Sequence, residues 1–431
     1  MVDGQPGCSE FVTLFSLRRL NGSHRMPPSA TLAVDSPTAW RMLAAAFVVG
    51  FVVFGIVYSF GVFLSPIMSD LGTSRATTSS YYAVSSLVFY MLGPLTGHAG
   101  DRFGPRALAA VGALALGGGL VATAFVHDVR IGLLTYGLGV GVGAACAYIP
   151  TFAILGGWFD RHRTSALGIA VAGTGCGMLV VPPIAAVLIE QTGWREAMIV
   201  LGLGSGFLLS AAALTVAPPP ASRAARTEAS LGSAIRSGTF RTLYLSWVVG
   251  TMALFVPLVY LPAFAAEQGA DAVSASWLIS VVGGASIVGR LGIGYLQRFA
   301  GIVPLYKAAV LAMAASYVMW LALPGFWWGV VFAAVLGLAY GLRIALVAPV
   351  LIAFFGLKDL GALLGVFFTA TGIAGLLGPF VAGLAVDATG GYDLAIQITI
   401  VMGALSFIAV LPLADPPPQP PAQRQTEGEA Q

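Results

Sequence analysis

Gly97-His98-Ala99-Gly100-Asp101-Arg102-Phe103-Gly104-Pro105-Arg106 sets an acid and two arginines among small residues where one long apolar run gives way to the next. A degenerate copy, Gly294-x3-Arg298-x2-Gly301, follows 197 residues later, with Arg298 where the acid would stand. Two more markers repeat at nearly the same offset. Gly193-Trp194 returns as Gly391-Tyr392 after 198 residues, and Pro150 as Pro349 after 199. Agreement within two residues points to a duplicated chain, and duplicated halves suit a protein in which one bundle rocks against the other around a central site.

The runs around these markers fix the solvent. The chain of 431 residues is 58% hydrophobic and 9% charged, against roughly 25% charged in a soluble domain. Twelve apolar stretches, at 41–68, 78–100, 106–126, 130–157, 165–190, 194–217, 240–267, 274–298, 304–324, 327–356, 360–387 and 392–414, each approach the roughly 20 residues that a bilayer demands. Only helices satisfy their own backbone in lipid, so each is read as a helix. The 55 glycines suit close helix contacts, and Gly137-x-Gly139-x-Gly141-x-Gly143 reads as a packing face rather than a phosphate loop, since neither a strand nor a following Lys frames it.

The expected fold is therefore an all-α membrane protein of twelve transmembrane helices in two six-helix bundles, residues 39–217 and 240–414, joined by a cytoplasmic linker at 218–239. Residues 1–38 and 415–431 read as disordered cytoplasmic tails, and Met26 before Pro27-Pro28 as an alternative start. Of 21 Lys and Arg, 16 fall on the side of the two tails and 3, Arg75, Arg130 and Arg195, on the other. That bias sets both termini in the cytoplasm of a multi-pass inner-membrane protein. A net charge of +3 implies no nucleic-acid partner, and Cys8, Cys146 and Cys176 have neither disulfide nor metal-ligand spacing. No cofactor motif, metal cluster or nucleophile–base pair is found, so an enzyme is not expected.

The stretch 97–106 resembles the loop signature of the major facilitator superfamily, and the resemblance runs from about Arg41 to Leu413. It implies that Gly97, Asp101, Arg102, Gly104 and Arg106 gate the conformational change by locking two helix ends in one state. Tyr58-Ser59-Phe60-Gly61-Val62-Phe63, Tyr148-Ile149-Pro150, and Gly173-Thr174-Gly175 leading to Pro182-Pro183 and Gly193-Trp194-Arg195 look like the monocarboxylate and oxalate/formate branch. The fifth span lacks the Gly-Pro-x-x-Gly-Gly ending of drug/proton antiporters.

Two cations lie inside spans, Arg290 in the eighth and Arg343 in the tenth. An arginine there costs about 2.5–3.5 kcal/mol on insertion scales, so it marks a functional position by default. Gly283, Ser286 and Gly294 share the Arg290 face at helical spacing. Arg290 also matches the arginine that binds substrate carboxylate in the resembling branch, a task for which the planar guanidinium fork is suited. Arg343 is a candidate for a second anionic group, with pairing to interior carbonyls as the alternative. Tyr58, Tyr148, Tyr340 and Ser286 are candidates for the lining of a small polar cavity. Tyr58 and Ser286 stand where mammalian-type monocarboxylate carriers have a lysine and an aspartate, and the eleventh span lacks the lysine of oxalate carriers. No acid falls in the core of any predicted span.

The expectation is a monomeric secondary transporter of a small carboxylate such as lactate or pyruvate, with or without a proton, in contact with membrane lipid. Carboxylate exchange is the alternative within the class, and a transporter-fold sensor the rival outside it. Reporter fusions at Asp415 and near Arg226 should both behave as cytoplasmic, and a periplasm-active reporter at either point contradicts the topology.

Overall fold

The computed structural model describes residues 34–218, 231–322, 325–356 and 360–414. The two predicted tails, apart from residues 34–38, and most of the linker lie outside them. The chain forms α1 (Pro37–Leu71), α2 (Arg75–Met91), α3 (Gly93–Phe103), α4 (Pro105–Thr123), α5 (Val129–Gly132), a wider π-helical stretch (Leu133–Leu138) and α6 (Gly139–Leu155). It continues through α7 (Arg163–Thr192), α8 (Trp194–Thr215), the short α9 (Leu231–Arg236) and α10 (Gly238–Glu267). The remainder is α11 (Ala272–Leu296), α12 (Ile302–Leu321), α13 (Phe326–Phe355), α14 (Leu360–Thr389) and α15 (Asp393–Val410). Eleven of the spans are single long apolar segments, with α5, the π stretch and α6 making one of them. The twelfth is α2 with α3.

Local chemistry explains where the helices depart from the predicted spans. The second span begins at Arg75 rather than 78, because Ser74 caps it and accepts from the Thr77 N–H at 3.2 Å. It breaks at Leu92, because Pro94 has no N–H and its ring clashes with the Tyr90 carbonyl. The first span starts four residues early on a Ser36 cap with Pro37 behind it. The last helix stops at Val410, because Pro412 has no N–H to donate to the Ile408 carbonyl and so cannot continue the ladder.

The glycine run of the fourth span packs on two neighbours at once. A Cβ at Gly137 or Gly141 would strike Val84 or the Ser85 carbonyl of α2, and one at Gly139 or Gly143 would strike Gly119 or Leu116 of α4. The duplication is visible in the packing. In the first half α1 lies on α7, α2 on α6, and α4 on α6 and α8. In the second, α10 lies on α14, α11 on α13, and α12 on α13 and α15. The halves meet along α2–α14 and α7–α11, with α1 crossing α10 between them.

This seam is closed at one end only. A Cβ on Gly175 (α7) would strike Ile287 of α11, and one on Gly372 (α14) would lie 3.1 Å from Tyr90 of α2. Seven residues away on the same faces, Gly168 and Gly365 meet nothing within 4 Å. Likewise a Cβ on Gly283 of α11 would lie 3.0 Å from Met178, whereas Gly294 faces open space. Two helical turns thus separate tight contact from a gap, and the gap lies at the end that carries both termini. At that end the carboxylate of Asp35 accepts from the Arg161 N–H at 3.1 Å and lies 3.5 Å from His162 Nδ1. Burial pushes this carboxyl up, but the Arg161 N–H and the His162 ring hold it below its ordinary value. The tether is accordingly kept above the usual carboxylate range and lost as pH falls through the lowered value.

At the opposite end the closure is built from charges. Asp387 of α14 accepts from the Arg75 and Ala76 N–H groups at 3.0 and 2.9 Å, so a residue of the second half caps a helix of the first. The Arg75 guanidinium pairs with Glu267 of α10 and lies 5.7 Å from the Tyr392 ring centroid. Asp387→Ala should weaken this closure by about 0.5–2 kcal/mol, the usual contribution of a cap. Spin labels at Gln191 and Gln268 should then report a broader, longer distance distribution, and an unchanged one removes Asp387 from the closure.

Candidate functional site

Arg290 sits at the level where the seam changes from closed to open. α11 is held there by backbone packing: Gly289 abuts the Leu338 carbonyl and Gly341 abuts the Ser286 carbonyl. This locks α11 to α13 and fixes where the Arg290 side chain leaves its helix. The side chain crosses to the first half. Its Nη1 donates to the Val171 carbonyl at 2.9 Å and to Thr174 Oγ1 at 2.6 Å, both on α7. The Arg290 Nε is buried and has no hydrogen-bond partner.

Tyr340 of α13 lies beneath this guanidinium, with Cζ 5.7 Å from its ring centroid, a distance compatible with cation–π attraction. Its hydroxyl meets that of Tyr58 of α1 at 3.3 Å, and both side chains are buried. Tyr58 continues into an aromatic cluster of the first half. Phe54 lies 5.7 Å from it and 5.1 Å from Tyr148, which stacks on Phe152 at 4.0 Å. Phe89 and Tyr90, on α2, close the cluster.

The structure therefore joins Arg290, Tyr340 and Tyr58 directly, and Tyr148 through Phe54. Ser286 is not brought into this group. It is fully buried at the α11–α13 contact, and its hydroxyl donates to the Gly283 carbonyl of its own helix at 2.8 Å. Arg343 turns to another neighbour. It is 1% exposed and lies 4.3 Å from the Trp247 ring centroid. Its Nη2 reaches the Ser246 and Trp247 carbonyls at 3.3 and 3.4 Å, and its Nη1 reaches Thr251 Oγ1 at 3.5 Å, all on α10. These partners match the interior-carbonyl alternative for Arg343. Of the residues expected to gate, Gly97 and Gly104 border open space and Arg102 and Arg106 are exposed at the open end. The Asp101 side chain lies outside the described residues.

Sequence reasoning missed Val171 and Thr174. Thr174 carries a signal of its own, a polar residue between Gly173 and Gly175 in an apolar span, but only the fold brings it to Arg290. Among the described residues, no group of His, Cys, Asp or Glu could hold a metal ion. Every ion pair among them, Arg75–Glu267, Arg195–Asp70 and His162–Asp35, lies at a helix end or in a loop.

The whole constellation, twelve spans among the described residues in two related halves with Arg290 between them, is the architecture of a transporter. The sequence model of the Major Facilitator Superfamily matches residues 46–321 and 298–431, and the chain belongs to that family. Monocarboxylate transporter 3 of Rattus norvegicus is 27% identical over 91% of this chain and 84% of its own. Monocarboxylate transporter 11 of Homo sapiens is 28% identical over 93% and 90%. A protein of Aspergillus flavus, MFS transporter asaE, is 28% identical over 86% of each. Among solved structures, a D-xylose-proton symporter superposes with a TM-score of 0.71 at 16% identity, covering 88% of this chain and 98% of its own. The expected superfamily and fold are borne out, as is the likeness to the monocarboxylate branch.

Arg343 is held by neutral groups of α10 within its own half and, among the described residues, makes no bond across the seam. Arg343→Met should therefore retain at least half of wild-type carboxylate transport at matched membrane abundance. A tenfold loss confined to dicarboxylates would make Arg343 a substrate ligand.

Proposed function

We propose that this chain is a secondary carrier of small monocarboxylates that works by alternating access, with Arg290 as the ligand of the substrate carboxylate. The observation that carries the reading is a half-buried guanidinium with a vacant Nε, set between the halves where the seam opens. Inside the bilayer, hydrogen bonds between charged partners are short and strong, and a bound monocarboxylate cancels the charge that makes an empty Arg290 costly. The names of the relatives support this substrate class.

Tyr58 and Tyr340 supply neutral hydroxyls beside the cation, suited to a small polar substituent next to the carboxylate. With the termini and the 218–239 linker in the cytoplasm of the inner membrane, the open end of the seam faces inward. Residues 39–217 and 240–414 then act as the two rocking bodies. Gly97, Asp101, Arg102, Gly104 and Arg106 occupy the separated end and engage when it closes.

A second reading within the class, exchange of one carboxylate for another, is favoured by one observation. Among the described residues, no span holds a carboxylate at the level of Arg290 to relay a proton or to neutralise the empty site. The cation is then best neutralised by substrate on each crossing. Internal substrate should accordingly accelerate uptake in liposomes, whereas a proton gradient alone should not sustain it.

The deciding experiment is uptake by Arg290 variants at matched abundance. Hydrogen bonds to a charged group contribute about 1.5–3 kcal/mol. Arg290→Ala should therefore weaken carboxylate binding by roughly tenfold to a hundredfold. Arg290→Lys should recover only part, because the bidentate geometry is gone. Wild-type uptake by Arg290→Ala overturns the reading.

A further inference from the structure

The Arg290 guanidinium offers two distinct edges, and the protein uses only one of them. Nη1 is held by the Val171 carbonyl and Thr174 Oγ1. Nε is buried without a partner, and among the described residues Nη2 makes no hydrogen bond. Nε and Nη2 carry the two N–H bonds that run parallel, which is the edge able to grip both oxygens of a carboxylate side-on. The nitrogen that the protein has tied down is the one that such a ligand does not need.

Thr174 is itself fixed. The residue is 5% exposed, its hydroxyl donates to the Val171 carbonyl at 2.7 Å, and a Cβ on Gly50 of α1 would lie 3.3 Å from its methyl group. With its proton committed to Val171, Oγ1 presents a lone pair to Nη1. Its helix is pressed on α11 through Gly175 against Ile287 and through Met178 against Gly283. The bond from Thr174 to Arg290 thus joins the first half of the molecule to the second.

We infer that Thr174 is a positioning residue for the substrate carboxylate: it anchors Nη1 of Arg290 across the seam and so presents the free Nε/Nη2 edge to the ligand. The inference rests on the proposed role of Arg290 and adds a consequence. The grip is complete only while α7 and α11 touch at this level, so the affinity for carboxylate depends on the conformation of the carrier. One half supplies the cation and the other supplies its aim, which gives substrate binding and bundle contact a shared group.

The test is the kinetics of a short monocarboxylate in proteoliposomes, with Thr174→Val, Thr174→Ala and Thr174→Ser at matched abundance. Valine keeps the volume and removes the acceptor, serine keeps the acceptor, and alanine adds no bulk against Gly50. Removing one of two anchoring bonds should raise KM about threefold to tenfold in the Val and Ala variants, with the maximal rate within about twofold of wild type. Serine should restore KM. A wild-type KM in both Val and Ala variants, or a fall in maximal rate at constant KM, overturns the inference, as does a serine variant that behaves like alanine. If Val does not fold, the Ala and Ser pair carries the test. Should Arg290→Ala transport normally, the proposed function falls. Should Arg290→Ala fail while Thr174→Val and Thr174→Ala keep the wild-type KM, the positioning role alone falls.

Discussion

A charge inside a bilayer must find a partner, leave, or be useful. This constraint separates the two arginines that lie within spans. Arg343 is enclosed by its own half, with carbonyls of α10 at 3.3 and 3.4 Å and the Trp247 ring 4.3 Å away. Its positive charge is spread over groups that never leave it. Arg290 is held between the halves instead, with its Nε buried but unpartnered. Half of its fork is bonded across to the other bundle and half is vacant. Neutral acceptors hold a guanidinium in place but do not cancel its charge, and an anionic ligand does both.

The surroundings of Arg290 follow from that need. A cation proposed to meet a diffusing anion has to lie where two bodies part, and the seam provides this with the smallest residues available. Glycines let α7 approach α11 and α2 approach α14 closely, and the same faces two turns away are apart. Closure at the far end is stitched by Asp387, Glu267 and Arg75, groups at helix ends where water lowers the cost of separating them. Breaking these polar stitches would leave the apolar interiors of both bundles intact. This division allows two conformations without unfolding either half.

Much of this was legible in the sequence, and the limits have physical causes. Hydropathy located all twelve spans because the bilayer filters composition over some 20 residues. It misplaced the ends because caps are short-range polar chemistry: Ser36 and Ser74 lengthen their helices and Pro412 shortens the last. Arg290 stood out as an intramembrane charge, but its partners are 116 and 119 residues away on α7. Nothing local in Val171 or Thr174 declares that pairing. Ser286 shares a helical face with Arg290 by spacing, yet the close approach of Gly341 turns that part of the face into a helix contact. Arg343 shared with Arg290 the mark of an intramembrane charge, and only the fold shows that its partners are carbonyls and a ring of its own half rather than groups across the seam.

The central claim is that the vacant edge of Arg290 is the seat of the substrate carboxylate. An experimental structure of the protein with a brominated short monocarboxylate bound tests it directly, since the bromine locates the ligand independently of its shape. The account predicts both carboxylate oxygens at about 2.7–2.9 Å from Nε and Nη2 of Arg290, with the bonds from Nη1 to Val171 and Thr174 retained. A ligand seated elsewhere between the halves, with Arg290 still vacant at Nε, would contradict it.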